Sequence, residues 1–169
     1  MLTIIQMHGY PGSGKSAIAR ALGPALPAVV LDNDVIKSAL MRTGTAAADV
    51  GPPAHEVMRA LAARLLDDGS SVILDTPCFW PVIEIEGRTL AAAHGATWVM
   101  LQCICPVDVV DQRLAALDRL ASQHAVREFA PPRPGLYIPD CKRMTLDTVR
   151  PIEDNVAIAL AFIRKECGQ

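Results

Sequence analysis

The chain has 169 residues, of which 51% are apolar and 20% charged, and its formal net charge is −2. That composition excludes a disordered or collagen-like chain and gives enough apolar surface for a sizeable core. A slightly acidic balance also argues against bulk nucleic-acid binding, which depends on a basic surface neutralising many phosphates. No apolar stretch approaches the roughly 18 to 20 residues of a membrane span, so no membrane partner is expected. The first residues run directly into an apolar segment and a glycine loop without a leader-like pattern, which predicts a cytoplasmic protein. Five cysteines without a C-x-x-C pair read as reduced thiols.

In chain order, Leu2-Thr3-Ile4-Ile5 predicts a short buried strand ending before Gly9, and residues 15–22 predict a helix. Ala28-Val29-Val30-Leu31 predicts a second strand, which stops at Asp32-Asn33-Asp34 before a helix to about Arg42. Residues 43–53 are loose, with glycines and paired prolines, and suit a substrate loop; helical periodicity resumes from His55 to Asp68. Val72-Ile73-Leu74 predicts a third strand ending at Asp75, followed by a helix over 82–93 and a fourth strand over 97–105. Pro106 suits the start of a helix over 106–121. The polar, proline-rich segment 122–140 reads as a mobile lid, Met144–Leu146 as the fifth strand, and Pro151 as the opening of the last helix. Strands alternating with helices predict a single α/β domain with a five-stranded parallel sheet covered on both faces. Ligands in such a domain bind beyond the carboxyl ends of the strands.

The segment Gly9-Tyr10-Pro11-Gly12-Ser13-Gly14-Lys15-Ser16 fits G-x-x-x-x-G-K-[ST] in full, between a predicted strand and a predicted helix. Such a loop turns backbone N–H groups around phosphate oxygens, places the lysine on the β- and γ-phosphates, and offers the Ser16 hydroxyl to magnesium. ATP and Mg2+ are the implied cofactors. An N-K-x-D base-recognition motif is absent, which argues against a GTPase, and Asp75 is followed by Thr76 rather than by the glutamate of AAA-type motors. A small phosphotransferase remains. Asp32 and Asp34 alternate with Asn33 and, on an extended chain, would point to one side, where one carboxylate orients a nucleophile and the other helps hold magnesium. Asp34 also stands where a helix N-cap would stand. Phe79 and Trp80 follow a strand end and either line an acceptor pocket or pack on the next helix. His55 either touches acceptor or is an exposed histidine at a helix start.

On these motifs the chain, from Ile4 to about Phe162, resembles the small P-loop kinases. That group includes polynucleotide 5′-hydroxyl kinase domains, gluconate and shikimate kinases, chloramphenicol phosphotransferase, zeta toxins and AAA_33-like ATP-binding proteins. The resemblance implies a sheet ordered 2-3-1-4-5, with Asp34 as the base that accepts the acceptor hydroxyl's proton and Lys37 in the place usually held by an acceptor-binding arginine. It implies Asp75 as a magnesium-side acid, Arg113 and Arg119 as lid arginines acting on the transferring phosphoryl group with Arg127 as a further candidate, and Arg133-Pro134 as an acceptor contact. The expected activity is transfer of the γ-phosphate of ATP to a hydroxyl of a small molecule. A polynucleotide or nucleotide kinase, and a nucleotide-binding regulatory protein with little turnover, are the alternatives.

Overall fold

The computed structural model describes residues 1–116, 120–123, 137 and 139–168. Five short runs form strands β1 (Thr3–His8), β2 (Ala28–Asp32), β3 (Ser71–Asp75), β4 (Thr97–Ile104) and β5 (Arg143–Asp147). They make one sheet in the order β2-β3-β1-β4-β5, with every neighbouring pair parallel, as expected. Parallel pairing requires crossovers, and these are the helices α1 (Lys15–Ala25), α2 (Asn33–Arg42), α3 (Gly51–Asp67), α4 (Pro81–Ala93) and α5 (Val107–Ala116); α6 (Ile152–Glu166) follows the last strand.

Side chains alternate across a strand, so β1 feeds two cores. Ile5 and Met7 join Ile73, Val99 and Leu101 beneath α1 (Ile18, Leu22) and α6 (Ala159, Phe162). Ile4, with Val72 and Leu74, meets Met58, Ala62 and Leu66 of α3 on the opposite face. Burial of β1 on both faces fixes the rim on which the loop after it stands. Among the described residues no helix is long and apolar enough to cross a membrane.

Three boundaries differ from the sequence expectation. Helix α3 begins at Gly51 rather than His55, because the two prolines after it occupy the first turn, where no backbone N–H is required. The loose stretch is therefore shorter. Helix α5 is described as far as Ala116, and residues 121–123 form a turn instead of continuing a helix to 121, with Gln123 N donating to Leu120 O at 2.9 Å. Asp32-Asn33-Asp34 is not extended: α2 already begins at Asn33. Most of the expected lid lies outside the described residues.

Candidate active site

The loop Gly9–Ser16 leaves β1 and enters α1, whose N-cap, Gly14, makes no side-chain cap hydrogen bond. The first N–H groups of α1 thus have no side-chain acceptor at Gly14, which is the arrangement that receives an anion. Gly9 and Gly14 have φ of 138° and 90°, and protein atoms crowd both positions: a Cβ at Gly9 would lie 2.5 Å from Cys103 O, and one at Gly14 3.1 Å from the Thr148 side chain. The loop's shape is therefore dictated by packing on β4 and on the segment after β5. Lys15 is buried and donates from Nζ to Tyr10 O at 2.9 Å. Burial pushes its pKa down, opposed chiefly by the Asp75 carboxylate.

Thr148, just past β5, braces this loop. Its hydroxyl donates to Ser13 O at 2.8 Å and accepts from Arg113 Nη1 at 2.9 Å, and Arg113 Nη2 donates to Thr148 O at 2.7 Å. Arg113 also reaches Gly12 O at 3.4 Å and lines the cleft. Among the described residues its hydrogen-bond partners are all neutral oxygens. His8, at the end of β1, is buried edge-on to the Phe79 ring at 5.4 Å. Its pKa is pushed down to about 4 by burial and by the nearby Lys15 and Arg143 charges.

Across the loop stand the carboxylates. Asp75, the last residue of β3, is 5% exposed, and its buried Oδ2 has no hydrogen-bond partner among the described residues. Burial raises its pKa, while the Ser16 hydroxyl and Lys15 pull it down. A magnesium ion is commonly held through one or two carboxylates plus substrate phosphates. The orphaned Asp75 oxygen beside the Ser16 hydroxyl fits such an ion. Asp32 does not share this position: its Oδ1 caps α2 by accepting from Asp34 N at 2.9 Å and Val35 N at 3.3 Å, and its Oδ2 faces Arg20 at 3.9 Å. The expected pairing of Asp32 with Asp34 on one side of a strand is thereby corrected, and so is the expected cap, which is Asp32 and not Asp34. Asp32 is the register partner of Asp75 across β2 and β3, but of the two only Asp75 borders the cleft.

Asp34 lies in the first turn of α2 and lines the cleft. Lys37 Nζ is 3.7 Å from its Oδ1, and Gln123 Nε2 donates to its Oδ2 at 3.3 Å. Ser122 ties the same helix: its hydroxyl donates to Asp34 O at 2.8 Å, and its backbone N–H donates to the buried Ser38 hydroxyl at 3.2 Å. Lys15, Ser16, Asp34, Lys37, Asp75 and Arg113 all border one cleft of about 1220 Å³. Phe79 and Trp80 border it as well, but differently. Phe79 is 4% exposed, packed on His8 and Tyr10, whereas Trp80 is 50% exposed. Arg119, Arg127 and Arg133 lie outside the described residues.

The AAA_33 family (AAA domain) matches residues 4–128. The chain belongs to that family. Among relatives of this AAA_33 chain, uncharacterized proteins of Mycobacterium tuberculosis and Mycobacterium bovis are 31% identical over 121 residues, 64% of this chain and 24% of theirs. The chain thus spans about a quarter of the length of the curated relatives it matches. Its fold is that of small P-loop kinases. An APS kinase of Mycobacterium tuberculosis, solved with AMPPNP and APS, superposes with TM-score 0.72 at 21% identity, over 96% of this chain and 98% of that one. A sugar kinase of Janibacter gives 0.65 at 18%, over 96% and 94%, and a gluconokinase of Sinorhizobium meliloti 0.59 at 17%, over 94% and 90%.

Several cleft residues of the AAA_33 chain carry no motif in the sequence. Thr148 follows β5 in an unremarked stretch, and Ser122 and Gln123 act on a helix more than eighty residues away. His55 is neither exposed nor solitary: it sits in the first turn and a half of α3, and its Nε2 lies 2.8 Å from Oε2 of Glu86 on α4. The signal available for that pair was only the spacing of cleft-facing positions on each helix. Glu86 stands three or four residues beyond Val82 and Ile83, which also border the cleft.

Proposed function

We propose that this AAA_33 chain is a phosphotransferase that moves the γ-phosphoryl group of ATP to a hydroxyl of a small-molecule acceptor, with residues 1–169 acting as one kinase-like unit. The observation that carries the reading is a single cleft bordered on one side by the Gly9–Ser16 loop with Lys15, and on the other by Asp34. The names of the solved structures that share the fold, kinases of APS, a sugar and gluconate, support it.

The loop's N–H groups and the α1 N-terminus receive the nucleotide phosphates, and Lys15 neutralises the β- and γ-oxygens at close range. Arg113, fixed by Thr148, presents its guanidinium to the charge that spreads over the transferring group. Magnesium, when bound, supplies further positive charge to the phosphates, and Ser16 and Asp75 are the residues that would hold it. Asp34 accepts the proton of the acceptor hydroxyl as that oxygen attacks. Gln123 and Lys37 orient the Asp34 carboxylate, and Trp80 offers the acceptor an exposed aromatic wall.

A regulatory nucleotide binder would need no base in the cleft, and Asp34 argues for the transferase. Isothermal titration of Mg·ATP, followed by ADP release with and without hydroxyl compounds, tests the reading. Binding with slow hydrolysis that acceptors accelerate is the expected result. Absence of ATP binding overturns the nucleotide assignment, and fast hydrolysis that no acceptor alters overturns the transfer.

A further inference from the structure

The charges that border the cleft are sorted by side. The sheet order places the elements that follow β2 and β3 on one side of β1 and those that follow β4 and β5 on the other. Lys15, Arg113 and Arg150 belong to the loop after β1 and to the β4 and β5 side. Among the described residues none of the three forms an ion pair within 4 Å. The carboxylates Asp34, Glu56, Asp75 and Glu86 all belong to the β2 and β3 side.

Local pairing removes some of these charges from consideration. Asp34 is answered by Lys37 at 3.7 Å, and Glu56 by Arg59 at 2.6 Å. The remaining lining cation, Arg20, faces Asp32 at 3.9 Å. Among the described residues two carboxylates form no Lys or Arg ion pair within 4 Å: Asp75, which the nucleotide side claims through Ser16 and Lys15, and Glu86, whose charge reaches Arg59 only at longer range. Glu86 takes one hydrogen bond on Oε2 from His55 and has no partner on Oε1 among the described residues. Its side chain is 37% exposed at the cleft. Lys37 is the one described cation bordering this half, and its charge is spent on Asp34.

The walls around Glu86 are apolar. Met41 on α2, Val50 and Pro52 at the start of α3, and Trp80, Val82 and Ile83 at the start of α4 border the same half. Trp80 keeps half its surface open there. Two buried acceptors have no hydrogen-bond partner among the described residues: Oδ1 of Asn33, which is 5% exposed, and Oδ2 of Asp75. A carboxylated or phosphorylated acceptor would bring more acceptor oxygens and negative charge to a chamber that already has both unanswered. A group with N–H donors and positive charge satisfies Glu86, and an exposed indole attracts the same charge through its ring face.

We propose that this half of the cleft takes a hydroxyl compound bearing a cationic amine and an apolar face, with the ammonium group held by Glu86 and the apolar face against Trp80. The inference rests on the phosphotransferase reading for its chemistry but not for its binding. In the reaction the acceptor's hydroxyl oxygen forms the new bond to the γ-phosphorus as the bond to the β–γ bridging oxygen breaks. ADP leaves with that electron pair, and the hydroxyl proton passes to Asp34.

The test uses a panel of hydroxyl compounds of matched size in three charge classes: amino alcohols and amino sugars, their neutral analogues without the amine, and carboxylated or phosphorylated analogues. Binding to the full chain with a non-hydrolysable ATP analogue is read by calorimetry, and transfer by ADP release and product mass. Amines should bind best, and Glu86→Gln should weaken them by about 10-fold or more while leaving neutral analogues within about 2-fold, the scale of one lost charge-assisted hydrogen bond. Glu86→Asp should recover part of the loss, and an unchanged melting temperature in both variants separates the effect from misfolding. Preferential binding or transfer of the anionic class, equal loss of amines and neutral analogues in Glu86→Gln, or no binding of any amine overturns the proposal. Amine binding that depends on Glu86 without any phosphorylated product upholds it and overturns the phosphotransferase reading instead.

Discussion

Thr148 offers the most quantitative test of how the phosphate loop is held. Thr148→Val keeps the shape that packs against Gly14 but removes the hydroxyl that donates to Ser13 O and accepts from Arg113. Each net hydrogen bond contributes about 1 kcal/mol, and a buried acceptor left without a donor costs about 1–3 kcal/mol. Arg113 keeps its bond to the Thr148 carbonyl, which limits the loss on that side. The sum is about 2–4 kcal/mol, and at about 2–4 °C per kcal/mol for a chain of this size the melting temperature should fall by roughly 5–15 °C. Urea unfolding at 25 °C measures the free energy directly, with Thr148→Ser as the companion that retains the hydroxyl and should lose less than about 1.5 kcal/mol. A valine variant within about 0.5 kcal/mol of the parent, the range of ordinary surface substitutions, would refute the brace.

Lys15→Met should weaken Mg·ATP binding by at least about 10-fold in calorimetry, since the nearest cation to the β- and γ-phosphates is lost. Asp34→Asn should hold ATP affinity within a few fold while lowering transfer to an acceptor by about 10² or more in single-turnover measurements; unchanged turnover would remove it as the base. His8 ties stability to pH. Its folded imidazole stays neutral down to about pH 4, whereas the unfolded one, with the ordinary value of 6.5, takes up a proton first. The unfolded state therefore binds more protons between these values, and stability falls as pH drops from 6.5 to 4, by up to roughly 3 kcal/mol. His8→Asn should flatten that part of the urea-midpoint profile, and a profile parallel to the parent's would refute the assignment.

What could be read in the sequence was whatever repeats locally. Four of the five strands showed as short apolar runs broken by glycine, aspartate or proline, and the glycine loop as a spaced motif, because burial on two faces and tight turns both constrain neighbouring residues. Alternating strands and helices pointed to a parallel sheet, and the resemblance to the small P-loop kinases implied the strand order that is observed. The Asp32-Asn33-Asp34 stretch defeated the alternation argument because an aspartate that ends a strand can also cap a helix, and Asp32 does both, so that α2 begins at once with Asn33. Thr148 with Ser13, Ser122 with Asp34 and His55 with Glu86 join residues far apart in the chain. Such contacts follow from tertiary packing and leave no period to detect.

The central place of β1 has a kinetic consequence. The strand that launches the phosphate loop pairs with β3 and β4, and the loop itself rests on Cys103 and Thr148, so its neighbours lie from about seventy to more than a hundred residues downstream. Contacts of such separation form late, since the closure entropy of long loops is met before they add stability. During synthesis Gly9–Ser16 precedes these supports, and it acquires them only when β5 and the residue after it have been made. Within this fold a loop made before its supports is in this sense among the last parts to be assembled.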